Sequence, residues 1–411
     1  MKNRFFHFTC KERHIKWVEK LLEEEGYRFS PLSFFKKGRV LEHEPKPLGS
    51  SLASFFGLIY IHDKASFLPP LALEVPKESV VLDLCASPGG KTSLLSQIVG
   101  PNGLVLANEP NKKRFNTLKQ NVYKLNLLNT ILLSYPGEDF PELIGKIDYI
   151  LLDVPCSGWG RDKIKNFSIW HEGNVDSLIE LQRKLIKRAY EILSPGGKIV
   201  YSTCTTNPKE NQDQIYWATS EFDLVLEKPK KLKDFEYFDH EDFIMINGPK
   251  SNSQSFFIAV LKKKVKKFHS YITKKNLDYK IITSNFDTSL IDFLDLKKGA
   301  IKRIENNIFF IPYRALEFPQ IKWIGFQLGE FYKDDIILFS NIRALPPPKS
   351  IKNKIVLTDV KELKKLVVGQ KISVNIKDRW MALYWYNLPL GILKVSNQKA
   401  FWTNKVKIKK D

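Results

Sequence analysis

The chain of 411 residues is short of three things. It has no long apolar run. The longest candidate, 51–61, stops at His62 and Asp63, well below the roughly 20 residues a bilayer-spanning helix needs. It is poor in cysteine: Cys10, Cys85, Cys156 and Cys204 form no C-x-x-C pair and cluster with none of the seven histidines. That argues against a structural metal site, and in a reducing compartment against disulfides. It is also short of acid, with 45 Asp+Glu against 65 Lys+Arg and a net charge of +20. Such a surplus points to a polyanionic partner, nucleic acid ahead of an anionic membrane, with a general lysine bias as the alternative. The opening residues, MKNRFFHFTCKER, lack the apolar core and cleavage site of a signal peptide, so a cytoplasmic location is expected. No internal repeat is visible. A hydrophobic content of 43% leaves room for two or three domains with cores of their own.

What is present centres on 80–92, VVLDLCASPGGKT. An apolar run leads into a turn of small residues (Ala86, Ser87, Pro88, Gly89, Gly90), and an apolar helical pattern comes next. This reads as strand, tight glycine turn, helix, in which glycine lets backbone approach a ligand and the helix start offers unpaired N–H groups. Two nucleotide readings compete. Gly90, Lys91 and Thr92 fit the end of a P-loop, G-x-x-x-x-G-K-[ST], but Cys85 stands where its first glycine belongs. An adenosyl or dinucleotide site needs instead an acid ending the next strand, about 20 residues on. Glu109 comes directly after the apolar run GLVLAN at 103–108 and could accept from both ribose hydroxyls; a solvated strand-end acid is the plainer reading.

Read in order, 1–45 is a small basic region with a helix over 16–25 closed by Gly26, too short to stand alone. Pro45 and Pro47 mark a boundary, and Pro69-Pro70 is expected to break regular structure within 49–73. From Val80, strand and helix patterns alternate through 93–99, 104–108, 112–125, 130–133, 148–153, 177–193, 198–202 and 211–220, with a late apolar strand at 255–261. That order predicts an α/β class: a doubly wound, Rossmann-like parallel sheet with helices on both faces and ligands at the carboxyl ends of its strands. The run KKKVKK at 262–267 reads as the exit from that domain, and Pro346-Pro347-Pro348 divides the remainder of the chain. Strands are expected at 308–311 and 336–339, and an all-β piece at 372–376, 380–385, 390–395 and 400–402. Four parts result: 1–75, 76–263, 264–345 and 346–411. In the last, Trp380, Tyr384, Trp385, Tyr386 and Trp402 alternate with Arg379 and Lys394, which suits RNA contact by stacking and phosphate pairing, and equally suits a small β core.

Two cysteines sit just past apolar strands: Cys156 in ILLDVPCSG after Asp153, and Cys204 in VYSTCTT. A thiolate adds well to carbon 6 of a cytosine, which makes carbon 5 nucleophilic toward a methyl sulfonium donor. An acid must then hold the ring nitrogen or exocyclic amine, and a base must remove the carbon 5 proton so that the thiolate can leave. Cys156, Cys204 and Asp153 fill those roles between them.

The combination DLCASPGGK (83–91), NEPNKKR (108–114), DVPCSG (153–158) and YSTCTTNPKEN (201–211), preceded by YIHDKASFLPPLAL, resembles the Sun/NSUN family of RNA cytosine-5 methyltransferases, in particular its RsmF-like branch. Its end, GILKVSNQKAFWTNK, is similar to the PUA-like RNA-binding domain of that branch. The resemblance implies that Cys85, Ala86, Ser87, Pro88, Gly89, Gly90 and Lys91 wrap S-adenosylmethionine and that Glu109 holds its ribose. It implies Cys204 as nucleophile, Cys156 assisting product release, and Asp153 between cofactor and base with Lys91 beside it. It also implies RNA as partner, ribosomal RNA ahead of transfer RNA, with a non-catalytic ribosome-assembly factor as the rival reading. Two departures stand out. Pro136 occupies the place of the family's adenine-side acid, with Glu138 or Asp139 as substitutes, and WGRDKIKN at 159–166 replaces the family's R-K-D-P.

Overall fold

A computed structural model describes residues 4–143, 147–158, 172–265, 298–332, 335–345, 353–376 and 379–403. The substituted loop at 159–166, the end of the 262–267 exit run and the triple proline lie outside them. Strands β1 (Arg4–Phe8), β2 (Arg28–Leu32), β3 (Phe35–His43) and β4 (Ile59–His62) make an antiparallel sheet in the order β2-β3-β1-β4. Helix α1 (Ile15–Glu24) buries Ile15, Val18, Leu21 and Leu22, the i, i+3, i+4 spacing of one face, and Gly26 lies just beyond it at φ +89°. Pro45 and Pro47 are therefore not a boundary: after the short helix α2 (Leu52–Phe55) the chain returns as β4 to pair with β1. Nor do Pro69 and Pro70 break structure. They occupy the first turn of helix α3 (Leu68–Ala72), where amides have no intrahelical acceptor and a missing N–H is not felt.

The central sheet comes next along the chain. Its first half is β5 (Val80–Asp83), α4 (Gly90–Val99), β6 (Leu104–Asn108), α5 (Lys112–Lys124) and β7 (Thr130–Leu133). Its second half is β8 (Ile147–Asp153), α6 (Glu172–Ile192), β9 (Leu193–Thr203) and α7 (Gln212–Glu221). Strands β10 (Leu224–Glu227), β11 (Tyr237–Phe238), β12 (Ile244–Ile246) and β13 (Phe256–Lys263) complete it. The order is β11-β12-β13-β9-β8-β5-β6-β7, with β10 also on β13. The strands from β7 to β9 run parallel, as expected, but β13 is antiparallel to β9, so the sheet is mixed at one side. Each parallel strand serves two cores. Leu82, Leu106, Ile150 and Leu152 face α6 and α7, while Val81, Val105 and Leu151 face α3 and α4. Burial on both faces is why these strands read as continuous apolar runs rather than alternating ones. Register places Asp83 opposite Ala107 and Leu151, and Asp153 opposite Ser202, so the strand-end motifs share one edge.

Strands β14 (Gly299–Ile304), β15 (Asn307–Pro312), β16 (Phe326–Tyr332) and β17 (Asp335–Leu338) form a third, antiparallel sheet. The last piece is not all-β. It begins with β18 (Lys354–Leu357) and helix α8 (Val360–Val367) and continues as β19 (Ile372–Ser373), β20 (Trp380–Trp385), β21 (Leu388–Ser396) and β22 (Lys399–Phe401), with β18 and β20 parallel. Its aromatics belong to the core rather than to a stacking surface. Trp380, Tyr384, Trp385 and Trp402 are buried, and Tyr386 stacks on Trp17 of α1 with ring centroids 4.6 Å apart. Trp385 is fully covered and donates from Nε1 to the Trp17 carbonyl at 3.1 Å. One apolar cluster thus joins α1 and β1 to α8, β20 and β21. Trp385→Ala removes the largest fully buried side chain of that joint and is expected to cost roughly 3–5 kcal/mol; a urea midpoint within error of the parent protein would contradict this packing.

Candidate functional site

Strand β5 ends at buried Asp83, which accepts the Thr92 hydroxyl at 2.7 Å. The chain then turns through a cis Ser87–Pro88 peptide and Gly89, at φ +108°, into α4. A side chain at Gly90 would put its Cβ 2.7 Å from the Tyr60 ring, so glycine is what lets the lead-in segment close under the turn. The turn is tied to its neighbours: Ala86 N–H donates to the Asn108 carbonyl at 2.9 Å, Asn121 Nδ2 to the Pro88 carbonyl at 2.8 Å, and Arg114 Nη2 to the Ser87 carbonyl at 3.1 Å. The first amides of α4 lack intrahelical acceptors and face the same edge. Burial, then Asp83, Asp153 and Glu109, push the Cys85 thiol well up, and its half-buried side chain packs against the core.

Glu109 is 2% exposed. Its Oε1 accepts Asn111 N–H at 2.9 Å and Arg114 Nε lies 3.3 Å from Oε2. A carboxylate has about four acceptor positions, so both oxygens keep room for a diol. The glycine turn, a free helix start and a recessed strand-end carboxylate together fit an adenosine-bearing cofactor. The P-loop reading fails on Lys91. Its ammonium pairs with Asp153 Oδ2 at 2.7 Å and lies over the Phe256 ring, 5.0 Å from the centroid, instead of arching back over the turn.

At the next strand ends the two cysteine turns meet. Cys156 Sγ and Cys204 Sγ are 3.1 Å apart, neither in a disulfide. The Cys204 sulfur beside it, and then burial, push the Cys156 thiol well up. Asp153 Oδ1 accepts from Ser202 Oγ at 2.8 Å, so one oxygen is held by the neighbouring strand and the other by Lys91. Cys156, Cys204, Asp153 and Lys91 therefore come together, with the glycine turn and Glu109 on the adjoining strand ends.

Three features carry little signal in the sequence. Glu210 is buried beneath both cysteine turns. It accepts Ser157 N–H at 2.8 Å, Gln182 Nε2 at 3.1 Å, Asn207 Nδ2 at 3.2 Å and the Ser157 hydroxyl. Its one trace is the N-P-K-E-N turn after Cys204, which alone looks like a helix start. Asn108 bridges the Leu84 and Tyr135 carbonyls at 3.2 and 3.0 Å. Glu138 and Asp139 border a surface depression against Lys184, Lys187 and Arg188 of α6.

Comparison with known proteins places these motifs. The family described as "16S rRNA methyltransferase RsmB/F" matches residues 70–262. A "Ribosomal RNA small subunit methyltransferase F" of Shewanella piezotolerans is 27% identical over 91% of this chain and 84% of the relative. The protein of the same description from Klebsiella pneumoniae is 34% identical, over 59% of this chain and 54% of its own length. Among solved structures, a "Methyltransferase Homolog Protein" from Pyrococcus horikoshii is 30% identical, with a TM-score of 0.56, covering 64% of this chain and 87% of that one.

Asp83 yields a test of the buried floor. Burial, opposed by the Thr92 hydroxyl, pushes its carboxyl up from 3.8 to about 7. A group that holds its proton more tightly when folded loses stability as pH rises between those two values. Asp83→Asn is therefore expected to gain on the parent protein from pH about 4 to about 7 and then level off, by up to several kcal/mol. A difference in urea midpoints that does not change with pH would rule this out.

Proposed function

The chain belongs to the RsmB/F family of methyltransferases, and from that premise we propose that it transfers a methyl group from S-adenosylmethionine to carbon 5 of a cytosine in small-subunit ribosomal RNA. The observation that carries the cytosine-5 reading is the approach of the Cys156 and Cys204 sulfurs to 3.1 Å beside the Lys91–Asp153 ion pair. No helix among the described residues is long and apolar enough to cross a membrane.

The residues at the glycine turn fit the cofactor: backbone of 85–90 for its amino-acid portion and Glu109 for the ribose hydroxyls. When bound, S-adenosylmethionine supplies the methyl group on an electrophilic sulfonium. The chain's own groups do the rest. Cys204 sulfur bonds to carbon 6, and the ring's electron pair shifts toward carbon 5 and the ring nitrogen. Asp153, paired with an ammonium, is an acceptor, so it grips the exocyclic amine. Lys91 places a positive charge where the ring gathers negative charge. Cys156, whose thiol is held up by Cys204 and by burial, keeps its proton and can donate it to the Cys204 sulfur while that sulfur bears the charge. Once Cys204 is bonded to carbon it no longer holds that proton, which passes to water, and the Cys156 thiolate left behind is basic enough to take the carbon 5 proton. The electron pair of that C–H bond then expels Cys204 and restores the ring. The target must be unpaired or flipped out, because a stacked cytosine hides carbon 6.

Three variants test this. Cys204→Ala should lose methylation to background while still binding S-adenosylmethionine in calorimetry; near-parental turnover would remove it as nucleophile. Cys156→Ala should accumulate a protein–RNA adduct on denaturing gels, and no Cys204-dependent band would end the two-cysteine scheme. Glu109→Gln is expected to weaken cofactor binding about tenfold, the effect of losing one charge-assisted hydrogen bond. Bisulfite sequencing of RNA from cells with and without the gene identifies the cytosine.

A further inference from the structure

Helix α4 joins two places of different charge balance, the first with two of its carboxylates paired to Lys91 and Arg114. Its start, at the glycine turn, lies among Asp83, Glu109 and Asp153. Its far end, Gly100 and Pro101, about 15 Å away at 1.5 Å per residue, borders a cleft of about 900 Å³ at the opposite edge of the sheet. The cleft is walled by the start of α1, by β15 and by β18 with the β20–β21 turn. Lys11, Arg13, Lys16, Lys298 and Lys354 line it and are exposed, and no Asp or Glu does so among the described residues.

Two further cations line it from within. Arg343 is 6% exposed. Its guanidinium donates to the Phe56, Gly57 and Leu125 carbonyls at 3.2, 2.7 and 2.8 Å and to Thr9 Oγ1 at 2.9 Å. Lys37 Nζ donates to the Cys10 carbonyl at 2.8 Å and Gln97 Oε1 at 2.5 Å. All of these are neutral acceptors. The nearby carboxylates are committed elsewhere, Glu19 to Arg39 at 2.7 Å and Glu12 to Lys36 at 2.6 Å. Hydrogen bonds to carbonyls satisfy a cation's protons but leave its charge, and a concave low-dielectric wall concentrates that field. The environment registers it: burial, then Arg13, Lys11 and Arg343, lower His14 from 6.5 to about 4. The half-buried Trp17–Tyr386 stack, with Lys16 over Trp17 at 4.8 Å, adds aromatic surface to the same wall.

We propose that this cleft is a second RNA site, binding the phosphodiester backbone of a single strand at the edge of the sheet opposite the cysteines. Several cations spread along one wall match successive phosphates better than one. The site rests on the reading of the chain as an RNA-modifying enzyme, and would act as an anchor that holds the substrate while a separate segment reaches Cys204.

The test is a triple reversal of exposed residues, Arg13→Glu, Lys16→Glu and Lys354→Glu, in the full chain. Its probe is a mixed-sequence single-stranded RNA followed by fluorescence anisotropy across a salt series. Kd should rise at least about tenfold, and the slope of log K against log salt should become shallower by about 2, three contacts at about 0.7 each. S-adenosylmethionine binding and the urea midpoint should hold. An unchanged Kd and slope overturn the site even if the enzyme methylates RNA; a lost slope stands even if no methylation is found. Should the triple variant not fold, acetylation footprinting of the unsubstituted protein decides. RNA should protect Lys16 and Lys354, whereas equal labelling with and without RNA, or protection by inorganic pyrophosphate alone, overturns it.

Discussion

The candidate site depends on one buried carboxylate. Glu210 gathers Ser157 from the turn after β8, Gln182 from α6 and Asn207 from the turn after β9. A charge taken out of water must be met by donors, and here the donors are the two loops whose cysteines have to meet. The hydrogen bond from Tyr201 to the Glu210 carbonyl at 2.7 Å pins the same residue to β9. With these in place the Cys156 and Cys204 sulfurs are held 3.1 Å apart without a bond between them. Two thiols that close can share a proton, as the proposed roles of nucleophile and partner in elimination require.

Around that anchor the charges are sorted along α4. The carboxylates of Asp83, Glu109 and Asp153 gather at its start, where the proposed reaction places a cationic cofactor and an electron-poor ring. Two cations lie among them, Lys91 paired with Asp153 at 2.7 Å and Arg114 with Glu109 at 3.3 Å. Lys37 and Arg343, whose hydrogen bonds among the described residues go to neutral oxygens, lie at its end.

The central sheet was legible because its signals are local. An apolar run buried on both faces, a glycine turn and a helix pattern are contained within about 20 residues, and each strand-end motif carries its own chemistry. Pro69-Pro70 misled for a reason that is also local: proline forbids a helix interior but not a helix start, and sequence spacing did not tell which was present. The aromatics of 380–402 admitted two readings because a ring that stacks on a base and a ring that fills a β core have the same letters. The packing of α1 against β20 chose between them, covering Trp385 fully and pairing Tyr386 with Trp17.

By itself, the amino-acid order indicated the strands and helices of the central sheet, the edge at which ligands are expected, and the residue types for the proposed cytosine chemistry, since all of these arise from patterns along the chain. The distances came from elsewhere. That Lys91 turns to Asp153 rather than to a phosphate depends on β8 lying beside β5. That the sulfurs meet depends on Glu210. That a basic cleft exists at all depends on residues as far apart as Arg13, Lys37, Arg343 and Lys354 being brought together by a core shared between the two ends of the chain. Such contacts carry no periodicity in the sequence, because they are set by which buried faces find each other after the local elements have formed.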